Sequence, residues 1–132
     1  MEKQILKLGM TERVHLMGST NNVLEKVLYS KIFVLSSRVE GMPNSLLEAL
    51  TLGVPLISTD CPIGGPREII RNGINGYLVQ VDNTREMALT IKQLLKDDDL
   101  QRSMLENNLL AREQYSVENI FKKWERYLLE IN

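Results

Sequence analysis

An α/β fold, with a Rossmann-like parallel sheet of about four strands, flanking helices and an all-helical C-terminal third, is predicted by three features of the sequence. Four short runs rich in β-branched or aromatic residues, Val14–Met17, Ile32–Leu35, Leu56–Thr59 and Tyr77–Val81, are each bounded by Gly, Pro, Ser, Asp or Asn. Segments with helical periodicity lie between them. After Asp82 only helical patterns remain. Apolar strands that alternate with helices favour a parallel sheet covered on both faces, because each crossover helix lays a layer against the sheet.

Taken in chain order, Met1–Gln4 opens an alternating polar and apolar segment with no apolar signal-peptide core, so no export address is read. The first strand, Val14–Met17, carries the single histidine, His15, which is expected to be a core or edge residue with no catalytic-triad partner. A helix follows Asn21-Asn22, with Val23, Val27 and Leu28 on one side, and leads to the strand at Ile32–Leu35. The next helix follows Asn44-Ser45 and presents Leu46, Leu47 and Leu50; the strand Leu56–Thr59 comes after it. Pro66 suits the first turn of a short helix ending near Ile69-Ile70. Beyond the strand at Tyr77, Met87, Ala88, Ile91, Leu94 and Leu95 mark one helical stripe, and Leu100, Met104 and Leu105 open another. Asp97-Asp98-Asp99 between these stripes is read as a helix cap rather than a metal ligand set. Ser116 suits the N-cap of a last helix with Val117, Ile120, Phe121, Trp124, Leu128 and Ile131 on one face. No repeat or linker divides the chain, so residues 1–132 are expected to be one domain with C-terminal helices from about 84 to 131.

Composition narrows the functional classes. The 132 residues include 17 acidic and 16 basic side chains, for a formal net charge of −1, and only 5% are aromatic. A nucleic-acid partner needs a basic stripe and is not expected. The longest apolar runs fall far short of the roughly 20 residues of a membrane span. One cysteine, Cys61, excludes an internal disulfide framework and a cysteine-based zinc site, and a cytoplasmic setting is expected.

The chemistry-bearing stretch is Ser36-Ser37-Arg38-Val39-Glu40-Gly41-Met42-Pro43-Asn44-Ser45-Leu46-Leu47-Glu48-Ala49, which leaves a strand, crosses a Gly/Pro loop and enters a helix. Free amides and the positive end of the dipole at that helix N-terminus offer a seat for a phosphate or carboxylate. Glu40 and Glu48 would flank the anion and accept hydrogen bonds from hydroxyls of a polyol or ribose. The plainer alternative makes Glu40 a solvated loop residue and Glu48 the polar side of an amphipathic helix. A second strand-to-helix loop, Asp60-Cys61-Pro62-Ile63-Gly64-Gly65-Pro66-Arg67-Glu68, falls at the same sheet end, and two such loops together favour a shared concave site.

Glu40 to Glu48 resembles the E-x7-E motif of retaining, family-four glycosyltransferases of GT-B architecture, in an E-G-M-P-N-x-L-L-E-A form. The resemblance extends through Gly53–Asp60, Gly64–Glu68 and Asn72–Val79, and more loosely to Arg13–Gly18. It implies the donor-binding, C-terminal half of a two-domain enzyme that moves a sugar, with retention, from a nucleotide diphosphate sugar to an acceptor. By residue, it implies that Glu40 contacts the donor sugar near the reacting carbon and that Gly41, Met42, Pro43, Asn44 and Ser45 form the loop whose amides hold the distal phosphate. Glu48 then binds the ribose, and Gly64, Gly65 and Arg67 lie near the donor, Arg67 with Glu68 or a neighbouring helix as its other partner. The family needs no metal for chemistry, and no cofactor is expected beyond the donor, a uridine diphosphate sugar.

The arginine and lysine that hold the pyrophosphate in the family have no match here, and the acceptor domain is absent. The chain is therefore expected to be a domain truncated at its N-terminal side, inactive alone and feeble in donor binding, since losing charged partners costs about 2 to 5 kcal/mol. The acceptor, a saccharide or lipid-linked saccharide, would engage the missing domain, with peripheral attachment at the inner membrane face an option for a longer protein. An open sheet edge or an uncovered last helix is expected to favour self-association. Two alternatives stand beside this reading: a nucleotide-sugar epimerase fragment, and a non-catalytic nucleotide-sugar or phosphate-binding α/β module.

Overall fold

A parallel sheet with helices on both faces forms in the computed structural model, which describes residues 1–131. In chain order the elements are α1 (Glu2–Lys7), α2 (Val23–Leu28), β1 (Phe33–Leu35), α3 (Asn44–Thr51), β2 (Leu56–Thr59), α4 (Gly65–Ile69), β3 (Gly76–Val79), α5 (Thr84–Leu95), α6 (Asp98–Ala111), a 3₁₀ turn (Arg112–Tyr115) and α7 (Val117–Glu130). The strands lie in the order β1-β2-β3, all parallel. Phe33 stands opposite Leu56 and Leu35 opposite Ser58; Leu56 stands opposite Gly76 and Thr59 opposite Val79.

The middle strand explains why the sheet is covered twice. All four residues of β2 are buried, and successive side chains of a strand point to opposite faces. Leu56 accordingly packs with Leu46, Ala49, Leu50, Ile69 and Ile70 from α3 and the α4 end, whereas Ile57 packs with Val79, Leu94 and Met104 under α5 and α6. Gly76 starts β3 because a Cβ there would lie 2.8 Å from the Leu56 Cβ. On the α6 side, the buried Asn108 side chain donates to the carbonyls of Val54 (2.8 Å) and Asn75 (3.3 Å). It ties the helix to the turns that lead into β2 and β3.

The sheet has three strands, not the four expected. Val14–Met17 forms no strand; the Val14 amide donates to the Met10 carbonyl at 2.9 Å, closing a turn. Leu16 and Met17 are about half exposed, and His15 is exposed rather than at a core or strand edge. An alternating pattern makes a strand only where a neighbour supplies ladder bonds and a layer supplies burial, and β1 pairs with β2 alone. The N-terminal segment forms α1.

The C-terminal third is helical throughout. Asp97 caps α6 by accepting from the Leu100 amide (2.9 Å), and Ser116 caps α7 by accepting from Asn119 (3.3 Å). The apolar face of α7 is open, with Phe121 67% and Trp124 60% exposed. Among the described residues, no helix is long and apolar enough to cross a membrane.

Candidate functional site

Because the strands are parallel, the segments that leave them all emerge at one edge: 36–43 after β1, 60–64 after β2 and 80–83 after β3. This is the edge at which open α/β sheets take ligands. Two of the segments are in direct contact. A Cβ built on buried Gly65 would overlap the carbonyl oxygen of Gly41 and lie 2.9 Å from Pro43 Cδ. The first turn of α4 therefore touches the loop that precedes α3, and only a residue without a side chain allows it. Gly64, the N-cap of α4, has φ +88°, a left-handed conformation that glycine adopts without steric cost.

The loop after β1 is fastened to the sheet from inside. Thr59, 5% exposed at the end of β2, donates through Oγ1 to the Ser37 carbonyl. Ser37 Oγ donates in turn to Glu40 Oε1 at 2.6 Å. Arg38 reaches across to Asp82 (Nε to Oδ1, 2.9 Å), joining the first loop to the third. Asp82 itself has φ +62°.

At the far end of that loop, buried Pro43 begins α3, and its carbonyl accepts from the Leu46 (3.0 Å) and Leu47 (3.2 Å) amides. Helix geometry leaves the amides of Asn44 and Ser45 without an intrahelical acceptor. Among the described residues no side chain caps them, and no acidic residue occupies the first turn. Asn44 and Ser45 are both exposed, as are Gly41 and Met42. Space around the Gly41 Cα is open. Glu48, exposed on the fifth residue of the helix, sits little more than one turn from that end. The arrangement is an uncapped, dipole-positive helix end with a carboxylate to either side along the chain, Glu40 half-buried and hydrogen-bonded, Glu48 open to solvent.

Arg67 turns to neither of the partners expected of it. It grips Asp60 in a two-pronged ion pair, Nε to Oδ1 and Nη2 to Oδ2, the latter at 2.8 Å. The Arg67 hydrogen bond holds the Asp60 carboxyl below its ordinary value, and the same bond raises the guanidinium. The charge of Arg67 is thus met within its own loop, and any anion at the α3 end faces backbone amides. A depression of about 350 Å³ opens at the same sheet edge between Ser36, Thr59, Gln80, Asp82 and α5, and none of the ten residues singled out in the two glycine-bearing loops lines it. Among the described residues no group of three or more His, Cys, Asp or Glu side chains could hold a metal ion.

Sequence reasoning missed Ser37, Thr59, Arg38 and Asp82. The serine three residues before Glu40 was a usable signal, since short hydroxyl side chains bond to nearby acceptors in loops. The Thr59 and Asp82 contacts cross the sheet edge and leave no trace in local spacing.

Residues 1–110 match the family model described as glycosyl transferases group 1. Among curated relatives, N-acetyl-alpha-D-glucosaminyl L-malate synthase of Bacillus anthracis is 36% identical over 97% of this chain and 34% of its own length. Among solved structures, Anabaena HepE in complex with UDP superposes with a TM-score of 0.89 at 22% identity, over 98% of this chain and 35% of that one. TarM of S. aureus, in complex with UDP, alpha-GlcNAc-glycerol and fondaparinux, gives 0.84 at 30% identity, over 95% and 25%. The chain spans between 13% and 37% of the length of the curated relatives it matches. The family match takes in the whole sheet and both glycine-bearing loops, and the chain belongs to the group 1 glycosyl transferases, with the fold of a GT-B C-terminal domain.

Proposed function

We propose that the chain is the donor-binding half of a retaining, hexosyl-transferring enzyme and that it takes a nucleoside diphosphate sugar, a uridine diphosphate sugar first among them, at the α3 end. The observation that carries this reading is the uncapped N-terminus of α3, held beside a second loop by the Gly65 contact. In this reading the distal phosphate rests on the loop Gly41–Ser45, where the dipole and the free N–H groups of Asn44 and Ser45 act together. Glu48 accepts from the ribose hydroxyls, and Glu40 faces the sugar. Gly64 and Gly65 shape the wall beside the donor, with Arg67 above it. The binding of UDP by HepE and TarM supports the choice of ligand.

Transfer requires more than this chain supplies. Preorganised charge at the leaving phosphate and a water-excluding cleft are usually the largest catalytic terms, and with Arg67 paired to Asp60 the local cation is already engaged. The chain by itself is inactive in this reading, and an acceptor saccharide, free or lipid-linked, is brought by a further domain in the cytoplasm.

Titration with UDP and with pyrophosphate tests the donor site. Glu48→Ala weakens UDP by about tenfold to a hundredfold, the scale of one hydrogen bond to a charged group, and leaves pyrophosphate unchanged. Equal loss for both ligands, or none for either, removes Glu48 from the ribose.

A further inference from the structure

A glutamate on an irregular loop has three freely turning side-chain bonds, and a carboxylate that must meet one sugar hydroxyl is useful only if those bonds are restrained beforehand. Gly41 follows Glu40 directly and carries no side chain, and the direction a Cβ would take from it is open, so no neighbouring side chain at that position restrains the glutamate. Among the described residues, the one hydrogen-bond partner of the Glu40 side chain is Ser37 Oγ, at 2.6 Å. Ser37 is in turn no free loop residue. Its carbonyl accepts the hydroxyl of Thr59, which is almost fully buried and sits where β2 pairs with Val79 in β3. An unbroken series of contacts therefore runs from the end of the middle strand through Thr59 and Ser37 to Glu40.

We propose that Ser37 is a positioning residue, anchored by Thr59, that fixes the Glu40 carboxylate for the donor sugar. This rests on the reading of Glu40 as the carboxylate that faces the sugar. The geometry divides the work between the two oxygens: Oε1 is occupied by the serine hydroxyl, and Oε2 remains to accept from a substrate hydroxyl, since an ionised carboxylate only accepts. A short, charge-assisted O–H···O bond suits this task because it is strong and directional. The serine hydroxyl could equally have turned to its own backbone, as such side chains commonly do in loops, and it does not.

The test compares UDP with UDP-glucose, each titrated by NMR into the full chain and into Ser37→Ala, Ser37→Thr and Glu40→Gln. The expected pattern is a gain in affinity on adding the sugar in the parent, cut by about threefold to tenfold in Ser37→Ala, restored in Ser37→Thr and lost in Glu40→Gln, with UDP itself bound within about twofold in all four. A role confined to loop stability would weaken UDP and UDP-glucose alike in Ser37→Ala, and that result overturns the proposal. So does a full sugar gain in Ser37→Ala alongside a lost one in Glu40→Gln, which would leave the donor reading standing. No sugar gain in the parent, or an unaltered gain in Glu40→Gln, instead defeats the reading of Glu40 first and the positioning role with it. Glu40 side-chain couplings measured without ligand separate these cases, since Ser37→Ala should average them if the hydrogen bond is what restrains the rotamer.

Discussion

Two junctions at the same edge of the sheet do the same topological job and end differently. Both β1–α3 and β3–α5 carry the chain from the carboxyl end of a strand into a helix. At α5 the helix end is closed by the protein's own groups: Asn83 accepts from the Glu86 amide (3.1 Å), while Glu86 accepts from the Gln80 amide (3.1 Å) and the Asn83 side chain (3.0 Å). This reciprocal cap leaves little for a ligand. At α3 the cap is Pro43, which offers no side-chain acceptor, and the first turn carries no acid. An uncapped end costs stability, and the three long C-terminal helices, α5, α6 and α7, all avoid that cost with Asn83, Asp97 and Ser116. The shorter helices α1, α2 and α4 also lack a side-chain cap but carry an acid in the first turn, Glu2, Glu25 and Glu68; α3 has neither, and a second loop is pressed against its open end.

The largest effect is expected from breaking the contact that joins the two loops. Gly65→Ala places a methyl group on the Gly41 carbonyl, a clash of Cβ with backbone that no rotamer relieves, and should cost about 3 to 5 kcal/mol in a urea melt. Gly64→Ala, at φ +88° in open space, should cost only about 1 to 2 kcal/mol. Equal losses at both positions would mean that the loops are not in contact and that α3 stands as alone as α5.

Exchanging the character of the two helix ends sharpens the comparison further. Asn83→Ala should lower stability by about 1 kcal/mol and leave UDP binding untouched. Ser45→Asp supplies the acid that α3 lacks, so it should raise stability by about 0.3 to 1 kcal/mol while weakening UDP by about tenfold, since the new carboxylate occupies and repels at the phosphate's place. A stabilised Ser45→Asp that binds UDP as well as the parent would show that the open end is not the phosphate seat.

The smallest effect is electrostatic and lies in the second loop. Asp60 titrates below its ordinary 3.8 because Arg67 hydrogen-bonds to its charged form. A folded pKa below the unfolded one means stability that is fully present above the unfolded value and is lost as pH falls through the folded one. The stability difference between parent and Arg67→Ala should therefore be constant near neutrality and shrink as the pH is taken below 3.8. Both groups meet solvent, so the difference is small and diminishes with salt.

Most of the architecture could be read from residue order alone. The strands at Phe33, Leu56 and Gly76 were visible as short runs rich in β-branched or aromatic residues between turn residues. The caps at Asp97 and Ser116 were visible because a cap is a contact over three residues. Val14–Met17 had the same local pattern as the other runs and failed to become a strand, since pairing depends on a neighbour that local pattern does not reveal.

The candidate site divides in the same way. The anion-seeking loop, its two carboxylates and the second glycine-bearing loop follow from chain order, since spacing along a strand, loop and helix is set by covalent geometry. That Gly65 supports Gly41, that Arg38 reaches Asp82 and that Thr59 steadies Ser37 were decided only by the tertiary structure. Contacts between segments form where packing of the sheet and its two helical layers brings them together, and a hydrogen bond of three ångströms between residues more than twenty apart in the chain is a property of that packing and not of either residue.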